Sequence, residues 1–400
     1  MPKAKRIYLD HAATTPIAKE VSLVMADFDR RQFGNPSSIH HEGQEARASI
    51  DSARADIAEF FNCLPQEIIF TSGATEANNL AIAGCISDYV SRHNAKPHVI
   101  TTILEHQSVF NTVKTAYERG IIEATFVEPD KNGITDPKKI VAEIRDNTIL
   151  ISLIFVSNEI GTLQPVRELG KLLAEYNSKS RQKIIFHTDA VQAVKFYNCN
   201  VKKLGVDLLT FSGHKINGPK GIGGLFIKAG SRLNKIQFGG SQEYEKRAGT
   251  QNTTGIIGMS RAILLLGSLE NRESLAKKIR KLKDHLADFA VNQKIQILGD
   301  HSLEKSCPDI LTLYFKNLDQ DTLLARLDVA GYSVSNGSAC SSGSTNPSNI
   351  LKALHVPGKG AVVRISLGKS NTLSEIEKLE DLISNLINRG SHPKKLLAKT

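Results

Sequence analysis

Lys215 follows Ser-Gly-His and precedes a Gly/Pro-rich turn in FSGHKINGPKGIGG, residues 211–224. A strand end of this kind is where α/β sheets present ligand-binding groups, so its amine is a candidate nucleophile. Taken alone, a lysine is more often a solvated surface charge. Upstream, IIFHTDAVQA sets Asp189 at the end of an apolar run, where a buried acid needs a cation or hydrogen-bond donors. A protonated pyridine nitrogen would serve, with Gln192 in reach of the phenolic oxygen on the same ring; the competing reading of Asp189 is a helix N-cap. TSGATEANN, residues 71–79, has the form of an anion cradle. The amides of Ala74 and Thr75 and the Thr75 hydroxyl would face a phosphate held on the helix dipole, although a plain helix start capped by Ser72 or Thr75 fits as well. Ser212 and His214, beside the lysine, add donors.

Other residues carry weaker signals. His106 in TTILEHQSV could lie flat on an aromatic ring or simply be a packed loop histidine. Asn35 in FGNPSS and Asn158 in FVSNEIGTLQP stand where turns form. Arg364 inside the apolar strand VVRISLG requires an anion, and a carboxylate gripped by both arms of the guanidinium is the natural one. Cys340 stands in SNGSACSSGST, among residues that can neither bury nor pair it. Glycine accepts almost any backbone conformation and serine competes for local hydrogen bonds, so the expected loop is free to move. A surface loop with an incidental cysteine is the alternative.

The elements that must position these groups follow from periodicity. Helical patterns (EARASIDSARADIAEFF, TEANNLAIAGCISDYV, and about 165–179) alternate with apolar runs (EIIFTS, HVITTI, ILISLIFVS, KIIFHTD, VDLLTFS, GGLFIK) from about residue 43 to 230. Such alternation predicts an α/β fold with a mostly parallel sheet covered on both faces. A long helical stretch over about 254–291 leads to IQILGD, ILTLYF, the helix DQDTLLARLDVAG, the Cys340 loop, VVRISLG and a final helix near 373–387, a smaller α+β domain. The expected division is an amino-terminal arm, 1–20, packing with the small domain; a large domain, 21–258; a small domain, 259–388; and a basic flexible tail, 389–400.

Composition narrows the class. The chain has 400 residues, 40% hydrophobic and 23% charged, enough to bury a large core. No apolar run is long enough to span a bilayer. Five cysteines, with no CxxC pair, argue against a disulfide framework and a zinc site and suit a reducing cytoplasm. The net charge of +10 is dispersed among acids, as in KKIRKLKDHLADF, which reads as solvated helix faces rather than a nucleic-acid surface.

LDHAATTP, FGNPSSIH, TSGATEANN, Glu105-His106, NEIGTLQP, HTDAVQ, SGHKINGPKGIGG, RAGT, SACSSGS and VRISLG occur in one register from about Tyr8 to Ile387. Together they resemble the cysteine desulfurases of the class V aminotransferase family, in the branch with a long active-site loop. The resemblance implies the fold-type I architecture of pyridoxal 5'-phosphate transferases and a homodimer. It implies that Lys215 carries the cofactor, Asp189 meets the pyridinium nitrogen, Gln192 the ring oxygen, and His106 the ring face. Thr75, Ser212 and His214 would hold the phosphate, with Thr250 reaching it from the other subunit, and Asn35, Asn158 and Arg364 would grip the carboxylate of L-cysteine. Cys340 resembles the sulfur-accepting nucleophile that passes a persulfide to an iron–sulfur scaffold or another sulfur-acceptor protein. Lys215, Cys340 and His106 are the implied catalytic residues. The resemblance breaks at GGSQEYEKRAGT, where Ser241 and Tyr244 replace a glycine and an arginine. A selenocysteine lyase or an aminotransferase of the same fold is the nearest alternative, and a non-enzymatic basic scaffold a more distant one.

Overall fold

The computed structural model describes residues 6–337 and 348–390, so Cys340 and the tail from 391 lie outside the described residues. In chain order the elements are β1 (Ile7–Tyr8), α1 (Lys19–Arg31), α2 (His41–Phe61), β2 (Ile68–Thr71), α3 (Ala74–Arg92), β3 (His98–Thr102), α4 (Gln107–Glu118) and β4 (Glu123–Val127). Next come α5 (Pro137–Ala142), β5 (Thr148–Ser152), α6 (Val166–Lys179), β6 (Ile185–Asp189), α7 (Val201–Leu204), β7 (Leu208–Ser212) and β8 (Gly223–Ile227). The remainder is α8 (Thr253–Leu266), α9 (Leu269–Asn292), β9 (Gln296–Ile297), β10 (Ile310–Phe315), α10 (Gln320–Val329), β11 (Tyr332–Ser333), α11 (Asn349–Ala353), β12 (Ala361–Ser366) and α12 (Leu373–Gly390).

The seven-stranded sheet has the order β2-β8-β7-β6-β5-β3-β4. Strands β4, β3, β5, β6 and β7 run parallel, while β8 is antiparallel to both β7 and β2. The exception has a simple cause: the link 213–222 between β7 and β8 is too short for a crossover, so the chain must turn back. Because side chains alternate along a strand, each strand feeds two cores. Leu209, Phe211 and Phe226 join Ile57, Phe61, Leu169 and Met259 on one face. Leu208 and Leu225 join Leu80, Val109 and Val113 on the other. Burial on both faces is why these strands read as continuous apolar runs.

A second sheet, β12-β10-β9, is antiparallel and packs with α9, α10 and α12 through Leu286, Leu313, Leu323, Val363, Ile365, Ile376 and Ile383. The amino-terminal arm touches both parts. Its β1 pairs with β11, the Ser366 amide donates to Leu9 O, and the Thr15 amide donates to His214 O.

Several elements differ from the sequence expectation. The run 149–157 is a strand only through Ser152; beyond it the chain leaves the sheet, and Ile154 and Val156 line a cavity. The stretch 254–291 is two helices, because Gly267 takes a left-handed φ of 69° and the Ser268 side chain caps the next helix at Asn271. Strand β4, at the edge of the sheet and mostly half-buried, carries too little apolar signal to stand out.

The segment around Ser241 and Tyr244 is held by a buried ion pair. Both oxygens of Glu243 meet Arg54 at 2.8 Å, with side-chain exposures of 1% and 3%, and the Phe70 amide donates to Oε2 at 2.9 Å. The Arg54 guanidinium also lies over the Phe70 and Tyr244 rings, at 4.5 and 5.2 Å. Glu243, Tyr244 and Glu245 all take positive φ, 46°, 53° and 63°, a strained conformation that persists only where contacts impose it. Glu243→Ala leaves Arg54 buried and unpaired. It is expected to destabilise the protein by about 3–5 kcal/mol, read as a lower denaturation midpoint; a wild-type midpoint would show that other contacts hold the segment.

Candidate active site

A cavity of about 510 Å³ opens at the carboxyl ends of the parallel strands, between the large sheet and β12. It is lined by Ala74, Thr75, His106, Asn158, Asp189, Gln192, Ser212, His214, Lys215 and Arg364, so most of the candidate residues converge on one space. Asn35 and Thr250 do not line it. Asn35 is exposed, and its Oδ1 accepts the Ser37 amide as a turn former does; Thr250 is exposed as well. Cys340 lies outside the described residues, but both flanks of its segment reach this cavity. Gly337 O accepts from Arg364 at 2.7 Å, and the Ser348 hydroxyl donates to Glu159 at 2.6 Å.

Lys215 ends a short 3₁₀ turn after β7, and its Nζ donates to Ala12 O and Ala13 O, each at 2.6 Å. Asp189 ends β6. Its two oxygens accept from the Val191 amide at 3.0 Å and from Asn78 Nδ2 at 2.8 Å. Gln192 gives one amide hydrogen to Ala12 O at 2.9 Å, while its buried Oε1 has no partner among the described residues. His214 is pushed down to about 4 by burial, then by Lys215, Lys220 and His106, so it is neutral at pH 7.

Helix α3 begins with Gly73 as N-cap, which has no side chain to cover the first-turn amides. A Cβ on Gly73 would meet nothing within 4 Å, whereas one on Gly223 would strike the Gly73 backbone at 2.7 Å. Glycine at 223 therefore lets β8 support the turn from below, and open space lies above the helix start. Such a helix start attracts anions.

Arg364 is 1% exposed and already partly engaged. Nη1 donates to Asn158 O at 2.8 Å and to Gly337 O, and Nη2 pairs with Asp10 at 2.9 Å. Nε has no partner among the described residues. The simple expectation of a guanidinium waiting for one carboxylate is corrected to this extent: Asp10 meets part of its charge, and the remaining donors are Nε–H and one hydrogen of Nη2.

Sequence reasoning passed over several groups here. Asp10 and the carbonyls of Ala12 and Ala13 come from LDHAATTP, and backbone carbonyls leave no trace in residue type. Glu105 is fully buried, accepts the Ile154 amide at 2.7 Å, and is raised well above the carboxylate range by burial and then by Asp189. Glu159 is also raised, by burial. An acid beside a histidine at a strand end was a signal for Glu105. The four described cysteines are held as thiols. Burial pushes Cys63, Cys199 and Cys307 up to about 12 and raises Cys85 as well.

The family model for aminotransferase class-V matches residues 7–379. The chain belongs to the class-V aminotransferase family. Among class-V relatives, the putative cysteine desulfurase IscS 1 of Bacillus subtilis is 40% identical over 388 residues, covering 96% of this chain and 99% of that protein. A solved NifS-like protein superposes with a TM-score of 0.86 at 32% identity, over 96% of this chain and all of that one. The structure of SspA in complex with cysteine gives a TM-score of 0.77 at 32% identity, over 91% and 99% of the two chains. These class-V relatives share the fold-type I architecture, a mostly parallel sheet flanked by helices, and the family depends on pyridoxal phosphate.

Proposed function

We propose that this chain is a pyridoxal-phosphate-dependent cysteine desulfurase that converts L-cysteine to L-alanine and keeps the sulfur as a persulfide on Cys340. The observation that carries the reading is the convergence of Lys215, Asp189, Gln192, His106 and Arg364 on one cavity in a chain 40% identical to a putative cysteine desulfurase. The cavity fits the cofactor. Open space over Gly73 and the uncovered amides of Ala74 and Thr75 suit its phosphate, with Ser212 and His214 beside them. The unpartnered Gln192 amide oxygen marks a polar wall near Asp189, which takes the ring nitrogen.

When bound, pyridoxal phosphate supplies an electron sink for the substrate's α-carbon. The residues do the rest. Arg364 and Asn158 orient the carboxylate, His106 would cover the ring, and the Lys215 amine moves the α-proton. The Cys340 thiolate attacks the substrate sulfur: the S–S bond forms, the Cβ–S bond breaks, and the carbon takes a proton to leave as alanine. Burial keeps the other four cysteines as thiols, which supports Cys340 as the acceptor. Thr250 acts in a homodimer on the partner subunit's phosphate site, and Asn35 is assigned with Asn158 and Arg364 to the substrate carboxylate, although within the single chain neither Thr250 nor Asn35 lines the cavity. The persulfide goes to an iron–sulfur scaffold or another acceptor protein in the cytoplasm. Among the described residues no helix is long and apolar enough to cross a membrane.

The test is to supply purified holoenzyme with L-cysteine and no keto acid. Alanine and, with a thiol reductant, sulfide are expected in equal amounts. Release of alanine only when an α-keto acid is added would favour an aminotransferase, and turnover confined to selenocysteine would favour a lyase. Arg364→Lys is expected to raise KM for L-cysteine by about 10–100-fold, since it loses a charge-assisted pair. An unchanged KM in a folded variant would remove Arg364 from the substrate site.

A further inference from the structure

We propose that Ser108 and Asn78 form a hydrogen-bond chain that fixes the tautomer of His106 and ties it to Asp189, making Ser108 and Asn78 positioning residues of the reaction. The chain runs from His106 Nδ1 to Ser108 Oγ at 2.7 Å, from there to Asn78 Nδ2 at 2.8 Å, and on to Asp189 Oδ2 at 2.8 Å. It spans the gap between α3 and α4, two packed helices that both start at the cavity.

The hydrogen positions follow from the chain's own chemistry. The Ser108 backbone N–H lies 3.1 Å from His106 Nδ1 and can only donate, so it favours a lone pair there, a long contact that needs the shorter one from the hydroxyl to hold the tautomer. The Ser108 hydroxyl, facing the same lone pair, donates to it, and its oxygen accepts from Asn78. A carboxylate oxygen only accepts, which sets the orientation of the Asn78 amide: Nδ2 gives one hydrogen to Asp189 and the other to Ser108.

Two observations indicate that the amide is kept for these donors. Asn78 is fully buried, and its Oδ1 has no partner among the described residues. A buried unpaired acceptor is costly, so a side chain serving only to fill space would be apolar here. His106 is also the N-cap of α4, accepting at Nδ1 as a capping oxygen would, and the same contact that starts the helix turns the ring. The hydrogen of neutral His106 therefore sits on Nε2.

The catalytic consequence rests on His106 and Asp189 being cofactor contacts; the tautomer does not, and it is read on protein without cofactor. The experiment uses full-length protein labelled with ¹⁵N-histidine, with His106 assigned by the signals lost in His106→Gln. Wild type is expected to show a lone-pair Nδ1 and a protonated Nε2. Ser108→Ala should show a population protonated at Nδ1, and Ser108→Thr, which keeps the hydroxyl, the wild-type pattern. In the pyridoxal-phosphate-loaded enzyme, Ser108→Ala should lower kcat about tenfold with KM within about twofold, and Ser108→Thr should restore it. A protonated Nδ1 in wild type, or an unaltered tautomer in Ser108→Ala, overturns the hydrogen-bond chain. The expected tautomers with wild-type kcat in Ser108→Ala overturn the positioning role and point to an error in the reading of His106 instead.

Discussion

Lys215→Ala is expected to lose turnover of L-cysteine by about 10⁴-fold while still binding pyridoxal phosphate. The lysine side chain is assigned two tasks, holding the cofactor covalently and moving the α-proton, and alanine performs neither. Binding survives because the amides of Ala74 and Thr75, the donors near Ser212, and Asp189 come from other elements, the start of α3 and the ends of β7 and β6. Borohydride treatment of wild type should fix the cofactor on Lys215, and the variant should release all of it on denaturation. The informative control is Lys220, the other lysine among the described residues that lines the cavity. Lys220→Ala should keep the borohydride label and most of the activity. A label on Lys220 in wild type would reverse the assignment.

Cys340→Ser is expected to leave the protein folded and yellow, yet to lower alanine release from cysteine by about 10³-fold or more. Serine keeps the size and polarity of the side chain but offers no thiolate, so only sulfur transfer is removed. Both flanks of the segment bear on the cavity, through Gly337 O on Arg364 and the Ser348 hydroxyl on Glu159. A stand-in among the described cysteines would have to come out of burial that raises each thiol well above its usual range. Wild-type turnover by Cys340→Ser would show that sulfur leaves without this acceptor.

The strand-helix alternation through 43–230 was legible because both faces of the sheet are buried, which makes apolar runs such as LLTF in β7 unbroken. The break at Gly267 was not, since one glycine inside a helical pattern does not say whether the helix tolerates it or ends there. At the site, Lys215, Asp189 and Arg364 could be picked out because each is a charge set in or beside an apolar strand. What they touch could not. Lys215 is held by the carbonyls of Ala12 and Ala13, from the far end of the chain, and Arg364 by Asp10. Asn78 and Ser108 read as ordinary helix residues until α3 and α4 are packed together. Glu243, in a stretch where the family pattern fails, proves to be a buried partner of Arg54, a pairing that no local pattern could signal.

Sulfur is expected to move from free cysteine to Cys340. Wild-type holoenzyme treated with one equivalent of L-cysteine, trapped with an alkylating agent and digested, gives a direct reading by peptide mass spectrometry. One additional sulfur atom on the peptide that contains Cys340, in proportion to the alanine released, is the expected result. Alanine released with that peptide unmodified, or with the sulfur on Cys63, Cys85, Cys199 or Cys307, would contradict it.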